Sequence, residues 1–330
     1  MTAIDRRALF ARTAAWGLGL LAAERARGRR ATEDLPPRGV AAYSESVYAD
    51  AVSEDGSTGF IVRLCRYPEA GVAWCWGHAF RDGELFAFTD HAVPCDPAVS
   101  DLDAAEVAYR AERPGYSIAL RRVGPSSRPV RCTARSRFAA HPFPRSAGAQ
   151  APPPGDGPVA MHIEAIFAPA HDPVSSLAGR TEVLGTVSAE LQIGERTTAL
   201  ACRGHFHEQQ QERPRWTAPF CYATLRGPDY HSVAILLEQG AVGFVERGGQ
   251  IDRVVGFAIE PPSDGPGERH FEMRLDAAEP VRGVYRDTHV YSVPIYDLRR
   301  RGSVVAGEAG DAAVSGCVND FLPERLTYLV

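Results

Sequence analysis

The chain has 330 residues, 45% hydrophobic and 23% charged, ordinary globular values that allow one large domain or two smaller ones. All 36 basic residues are arginine, which excludes Schiff-base chemistry, a lysine general base and a P-loop lysine. The net charge is −5, and the first thirty residues carry +5, so the remainder is −10; such an acidic body argues against nucleic acid as a partner.

Residues 1–31 read as a targeting segment. Arg6 and Arg7 precede an uncharged stretch, Thr13 to Ala23, that is too short for a bilayer, which takes about 20 residues. The arginine pair resembles a twin-arginine signal, so export to the periplasm is expected. The competing reading is an amphipathic N-terminal helix on the body of the protein. No other apolar run is long enough for a membrane helix.

From Tyr43 onward the pattern has period two with frequent turns. Strands are predicted over 44–52, 60–67, 72–80 and 84–89, the last two joined by an Asp82-Gly83 hairpin turn. Further strands are predicted over 117–123 and 129–138. A Pro/Gly/Ala-rich loop covers 139–158, and strands follow over 159–167, 181–193 and 197–209. The second half reads as strands over 220–226, 231–237, 242–246, 254–259, 270–275 and 290–298. Short helical turns are expected near 101–111 and after Phe321. High Gly (31) and Pro (25) fit this all-β reading, with two antiparallel barrel-like domains over 40–195 and 196–330. The seven cysteines, Cys65, Cys75, Cys95, Cys132, Cys202, Cys221 and Cys317, contain no C-x-x-C pair, so buried core thiols are expected and pairing cannot be read.

Two stretches carry a family resemblance. The first runs Tyr48-Ala49-Asp50-Ala51-Val52-Ser53-Glu54-Asp55-Gly56 into Gly59-Phe60-Ile61-Val62. The second is Arg203-Gly204-His205-Phe206-His207-Glu208-Gln209, before Trp216 and Phe220-Cys221-Tyr222-Ala223. Together they resemble the carotenoid 1,2-hydratase (hydroxyneurosporene synthase) group of a lipocalin-like superfamily. The resemblance implies two tandem lipocalin-like barrels, an apolar cavity and action on isoprenoid or other greasy polyenes by a hydratase, cyclase or pericyclase. Gly204 matches the family's glycine. His205, Phe206, His207 and Glu208 carry similar residue types in another order, without an Asp, and Gln210 stands where a tryptophan is often found.

His205 and His207 are two apart on a strand and so share a face, opposite Phe206 and Glu208. Two imidazoles on one face suit proton transfer near neutral pH. The same pair with Glu212 has the spacing of a cupin metal motif, and a strand-end pair with no chemistry is the plain structural reading. Tyr222, on the next predicted strand, is placed beside the pair across a hairpin. With Glu208 and Asp229 it is a candidate acid kept protonated by burial. Trp74, Trp76 and His78 form a stripe that lines a substrate pocket or, as the preferred reading, fills the first barrel's core; Trp216 is a further substrate-binding candidate. Tyr285-Arg286-Asp287 and His289-x-Tyr291 form a polar-aromatic cluster, read as an Arg-Asp contact at a barrel rim. The expected function is a cofactor-independent, metal-free hydratase or cyclase for a small hydrophobic substrate. A periplasmic carrier and a metal enzyme built on His205 and His207 are the alternatives.

Overall fold

The computed structural model describes residues 43–99, 101, 104–143, 158–212, 218–263, 265–295 and 298–323. Among them the regular elements are strands and one 3-10 turn, Pro68–Ala70. In the first unit the strands are β1 (Ser44–Val52), β2 (Gly59–Tyr67), β3 (Val72–Arg81), β4 (Glu84–Pro94) and β5 (Glu106–Arg113). They continue as β6 (Tyr116–Val123), β7 (Arg131–Phe143), β8 (Val159–Pro169), β9 (Arg180–Ile193) and β10 (Arg196–Gln211). They pair in the order β4-β3-β2-β1-β10-β9-β8-β7-β6-β5, and a further β4–β7 pairing nearly closes the sheet into a barrel. Asp82 and Gly83 both take positive φ (52° and 86°), the left-handed turn that matches the twist of β3 and β4.

Alternate residues of these strands meet in one apolar interior. Val47, Ala49 and Ala51 of β1 join Phe60, Val62 and Leu64 of β2 and Phe206 of β10 there. The opposite face of β1, β2 and most of β3 is buried as well, so polar Ser44, Ser46, Asp50 and Arg63 are taken out of water. Strand β10 changes along its length: residues 196–203 are mostly exposed or half-buried, whereas Gly204 to Glu208 are buried on both faces.

The second unit is a closed eight-stranded barrel. Its strands are β11 (Phe220–Gly227), β12 (Tyr230–Leu237), β13 (Gly240–Arg247) and β14 (Gln250–Ile259), then β15 (Glu268–Leu275), β16 (Val281–Ile295), β17 (Leu298–Ala309) and β18 (Ala312–Pro323). Its interior is lined by Phe257, Phe271, Met273 and Val305 among others. It also holds the Arg269–Asp320 ion pair, whose two hydrogen bonds measure 2.7 and 3.1 Å.

Several expectations are corrected. The 195/196 boundary falls in the turn between β9 and β10, whereas β10 pairs with β9 and β1 in the first sheet; the compact units part between 215 and 216. Residues 106–113 form β5 rather than a helical turn, because Val107, Tyr109 and Ala111 alternate into the interior and packing overrides local helix propensity. The strand expected over 290–298 is the end of β16 and the first residue of β17; most of β17 and all of β18 went unrecognised, since Arg299-Arg300-Arg301 and a run rich in Ala and Gly do not alternate as a half-buried strand does. The loop at 139–158 starts later, since β7 runs to Phe143. The targeting segment and the turn after Phe321 lie outside the described residues, apart from the end of β18. No described helix is long and apolar enough to cross a membrane. Cys65, Cys75, Cys95, Cys132 and Cys221 are free thiols.

Candidate active site

Three neighbouring strands of the first sheet each present two polar side chains, two residues apart, on one face. Strand β9 gives Arg180 and Glu182, β10 gives His205 and His207, and β1 gives Tyr48 and Asp50. The register sets Glu182, His207, Tyr48, Arg63 and Trp76 side by side across five strands. The adjacent row on the same face is Leu184, His205, Asp50, Ile61 and His78. On the opposite face of β10, Gly204 makes room for the interior side chain of Val187: a Cβ there would clash with Val187 Cγ2 and lie 2.9 Å from the Asp50 carbonyl oxygen. The two stretches that carry the family resemblance are thus hydrogen-bonded neighbours, Tyr48 opposite His207 and Asp50 opposite His205.

Glu182 is the centre of the cluster. Its Oε2 lies 2.5 Å from His205 Nε2 and 3.9 Å from His207 Nδ1. Its Oε1 accepts hydrogen bonds from Arg180 Nε and, at 2.7 Å, from Ser176 Oγ. Arg180 Nη2 lies 3.0 Å from His207 Nδ1, and Nη1 donates to Gln209 Oε1 at 3.2 Å. A guanidinium has only donors, so His207 Nδ1 accepts, and the imidazole proton of neutral His207 sits on Nε2. The Tyr48 ring stacks on His207 with centroids 5.0 Å apart and 9° between planes, and its hydroxyl donates to Asp50 Oδ2 at 2.7 Å. Glu182, His205 and Asp50 are fully buried. Burial by itself would raise the Glu182 carboxyl, but the Arg180 and His205 charges and their hydrogen bonds outweigh it and hold the group at about 2.

Not every expected residue joins the cluster. Glu208 points to the other face, into the barrel interior, where its Oε2 accepts from Arg122 Nε at 2.6 Å. Burial pushes its carboxyl above the usual range, against the pull of Arg122 and of a hydrogen bond from Tyr109. It is therefore an interior ion-pair partner and not a neighbour of the imidazoles. Tyr222 does not cross a hairpin to the histidines, because β11 pairs with β12 and β18 in the other sheet. It lies opposite Asn319, whose Oδ1 accepts from Arg300 at 2.7 Å. Asp229 sits exposed in the β11–β12 turn, and Glu212 is exposed just beyond β10, so the carboxylate beside the imidazoles is Glu182. The contact expected of Arg286 is made by Arg301, which donates to Asp287 Oδ2 at 2.8 Å, because Arg286 points to solvent. Trp216 lies outside the described residues.

Trp74, Trp76 and His78 share the face of the histidine cluster and not the barrel interior, which takes Ala73, Cys75 and Ala79 instead. Trp76 donates its Nε1 proton to His91 Nε2 at 2.7 Å, while the Arg63 guanidinium lies 5.0 Å from its ring centroid. Burial pushes His91 down to about 4, against the opposing pull of Asp90, so it is neutral and suited to accept that proton.

Sequence reasoning missed Arg180, Glu182 and the roles of Tyr48 and Asp50. The signal that finds them is the one that found the histidines: two polar residues two apart on a strand, and so on one face. The ligand atoms of Glu182, His205 and His207 lie within 4.8 Å of one another, so among the described residues this set has the donor types and spacing of a metal-ligand group.

A family model described as domain of unknown function (DUF7064) matches residues 33–283, more than half of the chain, which therefore belongs to that family. A search of curated proteins finds no match. Among solved structures, the chain is similar to CghA at 13% identity and a TM-score of 0.55, covering 89% of this chain and 95% of that one. A complex of CghA with Sch210972 matches equally well, at a TM-score of 0.55. A putative AttH from Nitrosomonas europaea matches at 10% identity and a TM-score of 0.51, covering 90% of this chain and 99% of that one. These likenesses show a shared two-barrel fold.

Proposed function

We propose that this member of the DUF7064 family is an enzyme that moves protons on a small, largely apolar substrate, with His205 and His207 as the working groups. The observation that carries the reading is the buried hydrogen bond between Glu182 and His205, with Arg180 on the far side of the carboxylate. A carboxylate that stays ionised orients an imidazole and stabilises it when it takes a proton. His207 presents an Nε2 proton able to stabilise negative charge that develops on a substrate oxygen. Leu184, Ile61, Trp74 and Trp76 share the face and give it an apolar, aromatic character. Hydration or cyclisation of a polyene fits these groups, and the sequence resemblance favours an isoprenoid. The arginine pair before a short apolar stretch supports export by the twin-arginine route.

The test begins with mass spectrometry of an organic extract of natively purified protein. Recovered compounds are then incubated with wild type and with the His205→Ala, His207→Ala double variant. Conversion by the wild type and its loss in a variant with unchanged circular dichroism is the expected outcome. Equal conversion by both proteins overturns the assignment, and stoichiometric uptake with no product makes the protein a carrier.

A further inference from the structure

We infer that Arg180 is the built-in cation of this cluster, standing where a divalent metal would bind, and that it is a positioning residue fixing the proton arrangement of His207. Two imidazoles and a carboxylate form a common ligand set for first-row metals. In this chain, the same three groups are arranged around a guanidinium instead.

The distances distinguish the two arrangements. Ligand atoms about 2.0–2.1 Å from a tetrahedral metal stay roughly 3.3 Å apart. His205 Nε2 and Glu182 Oε2 are 2.5 Å apart, a separation that holds a proton between them. His207 Nδ1, whose lone pair a metal would need, lies 3.0 Å from Arg180 Nη2. Arg180 Nε meanwhile holds the Glu182 oxygen that His205 does not. The arginine is itself held, by Gln209 Oε1 at 3.2 Å and by burial. A guanidinium keeps its proton under all ordinary conditions, so it cannot turn into a ligand and make way. An incoming dication would have to displace a buried cation from its carboxylate or sit beside it, and repulsion at low dielectric opposes the second course.

Two consequences follow. Neutral His207 carries its proton on Nε2, because Nδ1 faces a donor. Removing the guanidinium while keeping side-chain bulk should turn the cluster into a three-ligand metal site. Both are read without a substrate, so they stand or fall separately from the proposed activity.

The experiment uses the full chain, Zn2+ as the probe, metal analysis after dialysis, and titration against a competing chelator. Wild type should retain no zinc at the cluster. Arg180→Met should retain one Zn2+ per chain, with affinity at least tenfold above wild type, and lose it when Glu182→Gln or His207→Ala is added. Arg180→Lys, which keeps a cation, should exclude zinc as wild type does. Nitrogen-15 spectra of wild-type histidines should show His207 protonated on Nε2. Zinc held by wild type and lost in Glu182→Gln overturns the inference, as does a folded Arg180→Met that takes none. If Arg180→Met fails to fold, the nitrogen spectrum decides by itself: a proton on Nδ1 of His207 defeats the inference.

Discussion

The two faces of the sheet at β9 and β10 treat buried carboxylates in opposite ways. Inside the barrel, Glu208 meets Arg122 and Tyr109, and burial still pushes its carboxyl up. On the outer face, Glu182 meets Arg180, His205 and Ser176, and its carboxyl is held at about 2. Both groups are buried, so the number and charge of the partners decide the sign. The second barrel also holds an interior arginine–carboxylate pair, Arg269 and Asp320. What distinguishes the outer face is that its arginine–carboxylate pair also holds two imidazoles.

This contrast can be broken by substitution. Glu182→Gln should lower the turnover of a converted substrate by about 10²–10⁴-fold while the fold persists, the loss expected when a proton-transfer group is disarmed. If steady-state rates with Glu182→Gln match wild type, the outer pair is structural like the inner one. Glu208→Ala should instead destabilise the protein by about 3–5 kcal/mol in denaturant unfolding, because it strands the buried Arg122 charge. Its rate per folded molecule should stay near that of wild type.

Acid titration sharpens the same contrast. Glu182 has an ordinary value of 4.5 and a folded value of about 2, so its contribution to stability is complete above 4.5 and is lost as pH falls toward 2. Glu208 is displaced upward, so the folded state binds its proton more tightly and stability from this group falls as pH rises through its titration. Unfolding measured against pH should therefore lose slope between 4.5 and 2 in Glu182→Gln, and Glu208→Gln should remove a slope of the opposite sign. The smallest expected effect is that of Trp76→Phe, which keeps a ring under Arg63 but removes the hydrogen bond to His91. A loss of about 1 kcal/mol in thermal or denaturant unfolding is expected.

The strands of the first barrel were largely legible, because alternation and Asp-Gly turns such as Asp82-Gly83 are local signals. The second barrel was harder at its end. In β17 three successive arginines look like a solvated run, yet Arg300 and Arg301 are buried with polar partners, Arg300 against Asn319 and Tyr291 and Arg301 against Asp287. The shared face of His205 and His207 was fixed by their spacing. The partners of that face were not, because Glu182 and Tyr48 reach it only through pairing between strands far apart in sequence.

The sequence by itself determined an all-β chain, its two barrel-sized sets of strands and a pair of imidazoles on one face, since period and spacing act within a strand. Only the tertiary structure decided which carboxylate and which arginine meet those imidazoles, that Glu208 turns away from them, and that both faces of β1 and of the middle of β10 leave water. Cross-strand register and burial are non-local, so no segment contains them. They also convert ordinary polar side chains into a coupled cluster, because only removal from water makes the exchange of charge and protons among them strong.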